Sequence, residues 1–169
     1  MNKKIKSLVL AAVMGLSLTT VAVVPTTVEA ASAGAAETLI GGAVAYAYVS
    51  TAFNKMDNSK EGQEQSLARA KKQTGYLEDS AAQARVQRIM KTLEASPSVK
   101  RSYVVYANPS DDFNAFATVG RVMSVNKGAL DLLDDDELAY VMAHEISHGE
   151  HKDIVNGLKK QVGLSTAVS

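Results

Sequence analysis

All three histidines of this 169-residue chain, His144, His148 and His151, lie within one eight-residue stretch. The segment before them begins with four acidic residues at 134–137 and continues with apolar side chains three and four positions apart. An aspartate followed by a glutamate three positions later is typical of a capping box, and the apolar spacing is typical of an amphipathic helix. The sequence therefore predicts that the histidines lie on a capped helix with one buried face.

The spacing of His144 and His148 places two imidazoles on one helical face, a single turn apart. Neutral imidazole nitrogens in this arrangement can share one zinc ion. A glutamate beside the first ligand can take a proton from a water that the metal activates. This is the His-Glu-x-x-His pattern of zinc metalloproteases. We expect one Zn²⁺ per subunit, with His144 and His148 as metal ligands and Glu145 as the catalytic base.

The third histidine, His151, is a weaker candidate ligand. It follows His144 by seven residues, which is about 10 Å along a straight helix and too far for one tetrahedral ion. A break at Gly149 would be needed to bring it closer. We expect His151 to be solvated or to support a ligand. The alternative for the whole motif is an exposed polar patch at a helix end, which the preceding apolar turn argues against.

Composition excludes several other kinds of site. The chain has no cysteine, which excludes disulfides, a thiolate zinc site, a cysteine nucleophile and an acylated lipoprotein N-terminus. The 18 basic and 18 acidic side chains balance, which argues against a nucleic-acid partner. With 46% hydrophobic residues, the chain can bury the core of one domain.

The N-terminus, residues 1–33, has the features of a secretory signal peptide: three early lysines, an apolar stretch and small residues for cleavage. An uncleaved membrane anchor is the alternative, but polar residues within the apolar stretch disfavour it. Residues 34–58 form an apolar, glycine-containing linker or helix that is compatible with peripheral association with a membrane. We expect an exported protein of the periplasm or cell envelope.

The rest of the chain predicts an α+β fold. Apolar residues recur at helical intervals from 59 to 94, and Gly75 is a candidate divider between two helices. The segments that follow are predicted as three short strands and a short helix, at 102–107, 113–119, 121–126 and 128–133. The second and third strands meet at Gly120, which indicates a hairpin.

Together these segments carry a family resemblance. The matching residues are Asn114-Ala115-Phe116-Ala117, Gly120, Gly128, Asp136-Glu137-Leu138-Ala139 and the run 141–149 around the histidines. In this combination the chain resembles the HtpX-like and CAAX-prenyl-protease-like zinc metallopeptidases, the gluzincin family numbered forty-eight, over roughly residues 75–160. The resemblance implies a zincin-like (minigluzincin) fold with a long N-terminal helix, a small antiparallel sheet and the histidine helix.

The same resemblance implies a function. Residues 59–169 would be the N-terminal part of a metallopeptidase domain that hydrolyses misfolded or exported proteins at the cell envelope. It also implies that the strand Asn114, Ala115, Phe116 and Ala117 borders the cleft. In zincins such a strand pairs with the extended backbone of a polypeptide substrate.

One departure from the family concerns the third zinc ligand, a glutamate on a helix further downstream. After His148 the only acids are Glu150 and Asp153, and neither has the expected spacing. We therefore expect a C-terminally truncated domain that binds zinc weakly through two histidines. The alternative function is a catalytically inactive fragment that acts at most as a protein-binding module. Completion of the site by another chain is a third hypothesis.

Overall fold

The computed structural model describes residue 47, residues 50–157 and residues 159–160. In chain order its elements are α1 (Lys60–Thr74), α2 (Ser80–Glu94), β1 (Val104–Asn108), β2 (Ala115–Thr118), β3 (Val122–Asn126), α3 (Lys127–Leu132) and α4 (Asp135–Glu150). Residues 50–58 and 153–157 are also helical. The α+β class is confirmed. The signal peptide expected at residues 1–33 lies outside the described residues.

The expected long N-terminal helix is instead a series of shorter helices, because capping residues interrupt it. Ser59 caps α1 by accepting a hydrogen bond from the Gly62 N–H at 2.9 Å. Gly75 ends α1 in a left-handed conformation with φ 81°, which glycine adopts without steric cost. Asp79 then caps α2. The division at Gly75 is confirmed. In the described residues, no helix has both the length and the apolar character needed to cross a membrane.

The three strands form one sheet in the order β1-β3-β2. β2 and β3 are antiparallel and form the hairpin predicted at Gly120, whose φ is 85°. β1 and β3 are parallel, so the prediction of an antiparallel sheet was wrong for this pair. The physical reason is that β3 inserts between β1 and β2. After the hairpin, β3 therefore lies beside β1 and runs in the same direction as β1.

Helices cover both faces of this sheet. On one face, Val105, Met123 and Val125 belong to a core cluster that includes residues of α2 and α4. On the other face, Tyr106 and Val122 pack with residues of α1. Side chains alternate between the two faces because successive strand residues point in opposite directions. α4 packs against this sheet and contacts β2, so the position of α4 relative to the sheet is fixed.

Arg85 on α2 fixes the start of α4. Its guanidinium donates to the carbonyls of Leu130 and Leu133 at 2.8 and 2.7 Å, where α3 ends. It also donates to the Asp135 carboxylate at 2.7 Å. Hydrogen bonds from Arg85 and Arg88 lower the pKa of Asp135, so this carboxylate stays ionised at the positive end of the α4 dipole.

Candidate active site

α4 begins with the predicted capping box. The Glu137 N–H donates to the Asp134 carboxylate at 2.9 Å, and the Asp134 N–H donates to the Glu137 carboxylate at 3.0 Å. The apolar face that follows is buried, with Val141 2% exposed and Met142 fully buried. Because a helix presents residues three and four apart on one side, this anchored face fixes the direction of the histidines.

The structure brings His144 and His148 together. Their Nε2 atoms lie 3.2 Å apart, and their rings are nearly perpendicular, with centroids 4.7 Å apart. Two nitrogens bound to one tetrahedral zinc at about 2.0–2.1 Å would be separated by roughly 3.3 Å. The two imidazoles are therefore placed as a pair of ligands to a single zinc ion would be.

The surroundings of His144 favour its neutral form. Burial lowers the pKa of this imidazole, and the neighbouring His148 lowers it further. Both causes disfavour a positive charge on the ring. A neutral imidazole keeps one nitrogen lone pair for a metal, so the effect of this environment matches the chemistry of a ligand.

The side chain of Glu145 reaches the sheet. It is 2% exposed, and its Oε2 accepts a hydrogen bond from the Ala117 N–H on β2 at 3.1 Å. The predicted base and one residue of the predicted substrate strand are thus in direct contact. Ala115 and Ala117 are small and buried, which leaves room for α4 to approach this strand.

The ladder between β2 and β3 determines which backbone groups of the predicted substrate strand face outwards. The Asn126 N–H donates to the Asn114 carbonyl at 3.0 Å. Since hydrogen-bonded pairs alternate along an antiparallel ladder, Asn114 and Phe116 bond to β3. Ala115 and Ala117 direct their N–H and C=O groups away from it. Of the four predicted residues, these two are directed away from β3, but Ala115 is fully buried and the Ala117 N–H is bonded to Glu145.

Neither downstream acid forms a third ligand. The Glu150 carboxylate accepts from the Arg101 N–H at 3.1 Å and the Tyr103 hydroxyl at 2.9 Å, on the side of β1. Asp153 contacts the Nδ1 of His148, the nitrogen that faces away from His144. Across the residues that the structure describes, no group of three His, Cys, Asp or Glu could hold a metal ion.

His151 lies outside this pair. It is exposed, and its Nδ1 is 2.7 Å from the Ser147 carbonyl. The break considered at Gly149 does not occur there, because α4 continues to Glu150 and His151 is its C-cap. The chain turns at Lys152, whose φ is 58°.

Gly149 has a packing role instead. A Cβ atom at this position would lie 2.5 Å from the Tyr103 hydroxyl and 2.6 Å from its ring. The Ile146 carbonyl lies 3.2 Å from that hydroxyl and shares its single hydrogen with Glu150. Burial, followed by the hydrogen bond to Glu150, raises the pKa of Tyr103, so its hydroxyl remains a donor at neutral pH. Tyr103 thus connects β1 to the last turn of α4 through the space that the glycine leaves.

We expect Gly149→Ala to destabilise the protein by about 1–3 kcal/mol, because the added methyl group must displace the Tyr103 ring. Chemical denaturation measures this change. Gly157→Ala is the matched control, since nothing lies within 4 Å of a Cβ there. Equal denaturation midpoints for the two variants would contradict the packing role.

Asp153 is the site residue that sequence reasoning missed. Its carboxylate Oδ2 lies 2.9 Å from the Nδ1 of His148. Residues five positions apart do not share a face of a continuous helix, so the spacing gave no indication of this contact. The left-handed turn at Lys152 makes it possible. A left-handed lysine has no recognisable sequence pattern, because residues other than glycine rarely adopt a positive φ.

Comparison with known proteins agrees with this geometry. Residues 77–169 match the model of peptidase family M48. A protein named Protease HtpX homolog from Salinibacter ruber is 50% identical over 52 residues, which are 28% of this chain and 18% of the relative. The protein of the same name from Desulforapulum autotrophicum is 39% identical over 77 residues, 43% of this chain and 23% of the relative.

A third relative, Protease HtpX homolog of Sulfurovum sp., is 43% identical over 58 residues, 31% of this chain and 21% of the relative. The chain thus matches about a fifth of the length of these curated relatives. The family model, in contrast, covers more than half of the 169 residues and includes the whole histidine helix. The chain therefore belongs to peptidase family M48.

Proposed function

We propose that this protein is a zinc-dependent metalloendopeptidase that cleaves misfolded or exported polypeptides at the cell envelope. The observation that carries the proposal is the 3.2 Å approach of the His144 and His148 Nε2 atoms, next in sequence to a glutamate that contacts an edge strand. Membership of a peptidase family and the protease names of the relatives support it.

His144 and His148 would hold the metal, and the rest of the chemistry falls to Glu145. Zinc, when bound, supplies Lewis-acid polarisation of the scissile carbonyl and makes a water more acidic. The Glu145 carboxylate would accept a proton from the attacking water and later deliver it to the leaving nitrogen. Its hydrogen bond from the Ala117 N–H orients the carboxylate at the edge of β2, where a substrate backbone would lie.

The two edges of the sheet differ in a way that favours β2 as the substrate strand. On β1, the outward N–H and C=O of Ala107 are both bonded, to the Gln83 side chain at 3.0 and 2.9 Å. The Leu77 N–H also donates to the same carbonyl. On β2, Ala115 and Ala117 direct backbone groups outwards. An extended polypeptide would add to the sheet on this side, and Ala115, which is fully buried, would have to be uncovered first.

The site of action is proposed from the N-terminal sequence. A basic start, an apolar stretch and small residues within residues 1–33 support export, and the apolar composition of residues 34–58 supports contact with a membrane surface. Residues 50–58 of that second segment are helical, with Phe53 buried at 4% exposure.

A second candidate function is a non-catalytic protein-binding module. It is favoured by one specific observation: among the described residues only two imidazoles converge, without a third ligand. The β2 side of the sheet would then bind a polypeptide without cleaving it. The two functions differ in one measurable property, the zinc-dependent loss of intact substrate.

The test is zinc content and casein cleavage by the purified protein. Tight binding of one Zn²⁺ per chain, with cleavage that stops on chelation and returns on adding Zn²⁺, would support the peptidase proposal against the weak two-histidine binding that the lack of a third ligand among the described residues predicts. His144→Ala should lose both properties, whereas His151→Ala is the matched control and should keep both. A zinc-loaded protein that binds casein without cleaving it would overturn the peptidase proposal in favour of the binding module.

A further inference from the structure

We propose that Asp153 is a positioning residue, which fixes the tautomer and the ring orientation of His148 before any metal binds. This inference rests on the proposed zinc site and adds a residue to it. Its basis is the 2.9 Å distance between the Asp153 Oδ2 and the His148 Nδ1. On the opposite side of the same ring, Nε2 lies 3.2 Å from the Nε2 of His144.

The backbone at the end of α4 brings Asp153 back to His148. His151 is the C-cap, and the Lys152 N–H donates to the Gly149 carbonyl at 3.1 Å. Lys152 adopts a left-handed conformation with φ 58°, which reverses the chain. A new helical segment then begins at Asp153. The carboxylate thereby returns to the ring of His148, which a continuous helix would not allow at a separation of five residues.

The chemistry of the pair assigns the protons. An ionised carboxylate only accepts hydrogen bonds, so the hydrogen of a neutral His148 must be on Nδ1. Its Nε2 then carries the lone pair, directed towards the Nε2 of His144. A carboxylate that bonds to the second nitrogen of a liganding histidine fixes that ring and raises its basicity. Asp153 is placed to fix the ring of His148 in this way.

The solvent exposure of His148 and Asp153 indicates that their contact contributes little to folding. The side chains of His148 and Asp153 are 25% and 49% exposed. Exposed pairs of this kind contribute little to stability, because water and salt screen them. Removal of the carboxylate should therefore leave the fold intact while freeing the imidazole ring. The other acid nearby, Glu150, bonds to Arg101 and Tyr103 and cannot replace Asp153.

The first experiment uses the metal-free protein. Long-range ¹H–¹⁵N spectra of ¹⁵N-histidine-labelled protein, recorded where the rings are neutral, distinguish the two tautomers. We expect His148 to carry its hydrogen on Nδ1 in the natural protein and to become a mixture of tautomers in Asp153→Ala. Asp153→Glu, which restores a carboxylate, should recover part of the Nδ1–H population. The same tautomer mixture in the natural protein and in Asp153→Ala would overturn the proposal.

The second experiment titrates the same proteins with Zn²⁺ alone. Loss of a group that supports a ligand typically costs about 10–100-fold in metal affinity. We expect a loss of that size for Asp153→Ala and a smaller one for Asp153→Glu. Asp111→Ala, at a side chain that is 90% exposed, is the matched control and should bind like the natural protein.

Unchanged zinc affinity in Asp153→Ala, against a natural protein that binds zinc, would overturn the inference alone. Failure of the natural protein to bind zinc would instead overturn the proposed function. The tautomer measurement would still decide the role of Asp153 in that case, because it requires no metal.

Discussion

Glu145→Gln should reduce casein cleavage by the zinc-loaded protein by at least about 100-fold, because general acid–base catalysis contributes about 10²–10⁴-fold. Glutamine has the size of glutamate and keeps an oxygen that can accept the hydrogen bond from Ala117, which is 3.1 Å from the carboxylate. It cannot take up a proton at neutral pH. Zinc affinity should not change, since the proposed ligands are His144 and His148.

The measurement pairs initial cleavage rates with zinc titrations on the same preparations. Glu64→Gln makes the same chemical change at a side chain that is 66% exposed on α1, and it should cleave casein at the natural rate. A Glu145→Gln protein that retains cleavage would remove Glu145 from the role of base. A protein that loses zinc as well would indicate that Glu145 shapes the metal site.

The features that the sequence predicted correctly depend on neighbours in the chain. The capping box of Asp134 and Glu137 involves residues three apart, and Gly75 and Gly120 mark positive φ angles. The approach of His144 and His148 follows from the helical period once the helix exists. Such features need no knowledge of the fold, because each is determined within about one helical turn or one hairpin.

The features that the sequence did not predict depend on distant partners. The parallel pairing of Val104 with Val122 requires that β3 insert between two strands, and no local pattern encodes this. The contact between Glu145 and the Ala117 N–H spans 28 positions and depends on the ladder register. The contact of Asp153 with His148 is close in sequence, yet it depends on a left-handed lysine.

The resemblance to the family supplied what the spacing could not, namely that a strand near residue 115 lies beside the histidine helix. The structure refines that expectation. The residues Asn114 and Phe116 bond to β3, so Ala115 and Ala117 direct their backbone groups away from β3. A motif thus identified the correct segment, whereas the register of the sheet distinguishes the residues within it.

Val141→Asp should unfold the protein or lower its stability by about 3–5 kcal/mol, because it buries an unpaired charge in the core. Val141 is 2% exposed and belongs to the cluster between the sheet, α2 and α4. A domain of this size is stable by only about 5–15 kcal/mol, so the loss is a large part of the total. Thermal melting and circular dichroism measure it.

Tyr140→Asp is the matched control, since it places the same charge at the neighbouring position on α4, where the tyrosine is 55% exposed. It should melt close to the natural protein. Equal melting of the two variants would mean that the buried face of α4 has been assigned wrongly. Because His144 lies one turn after Val141, zinc affinity should fall with the fold in Val141→Asp and survive in Tyr140→Asp. The buried face of α4 would then be what holds the two imidazoles in place.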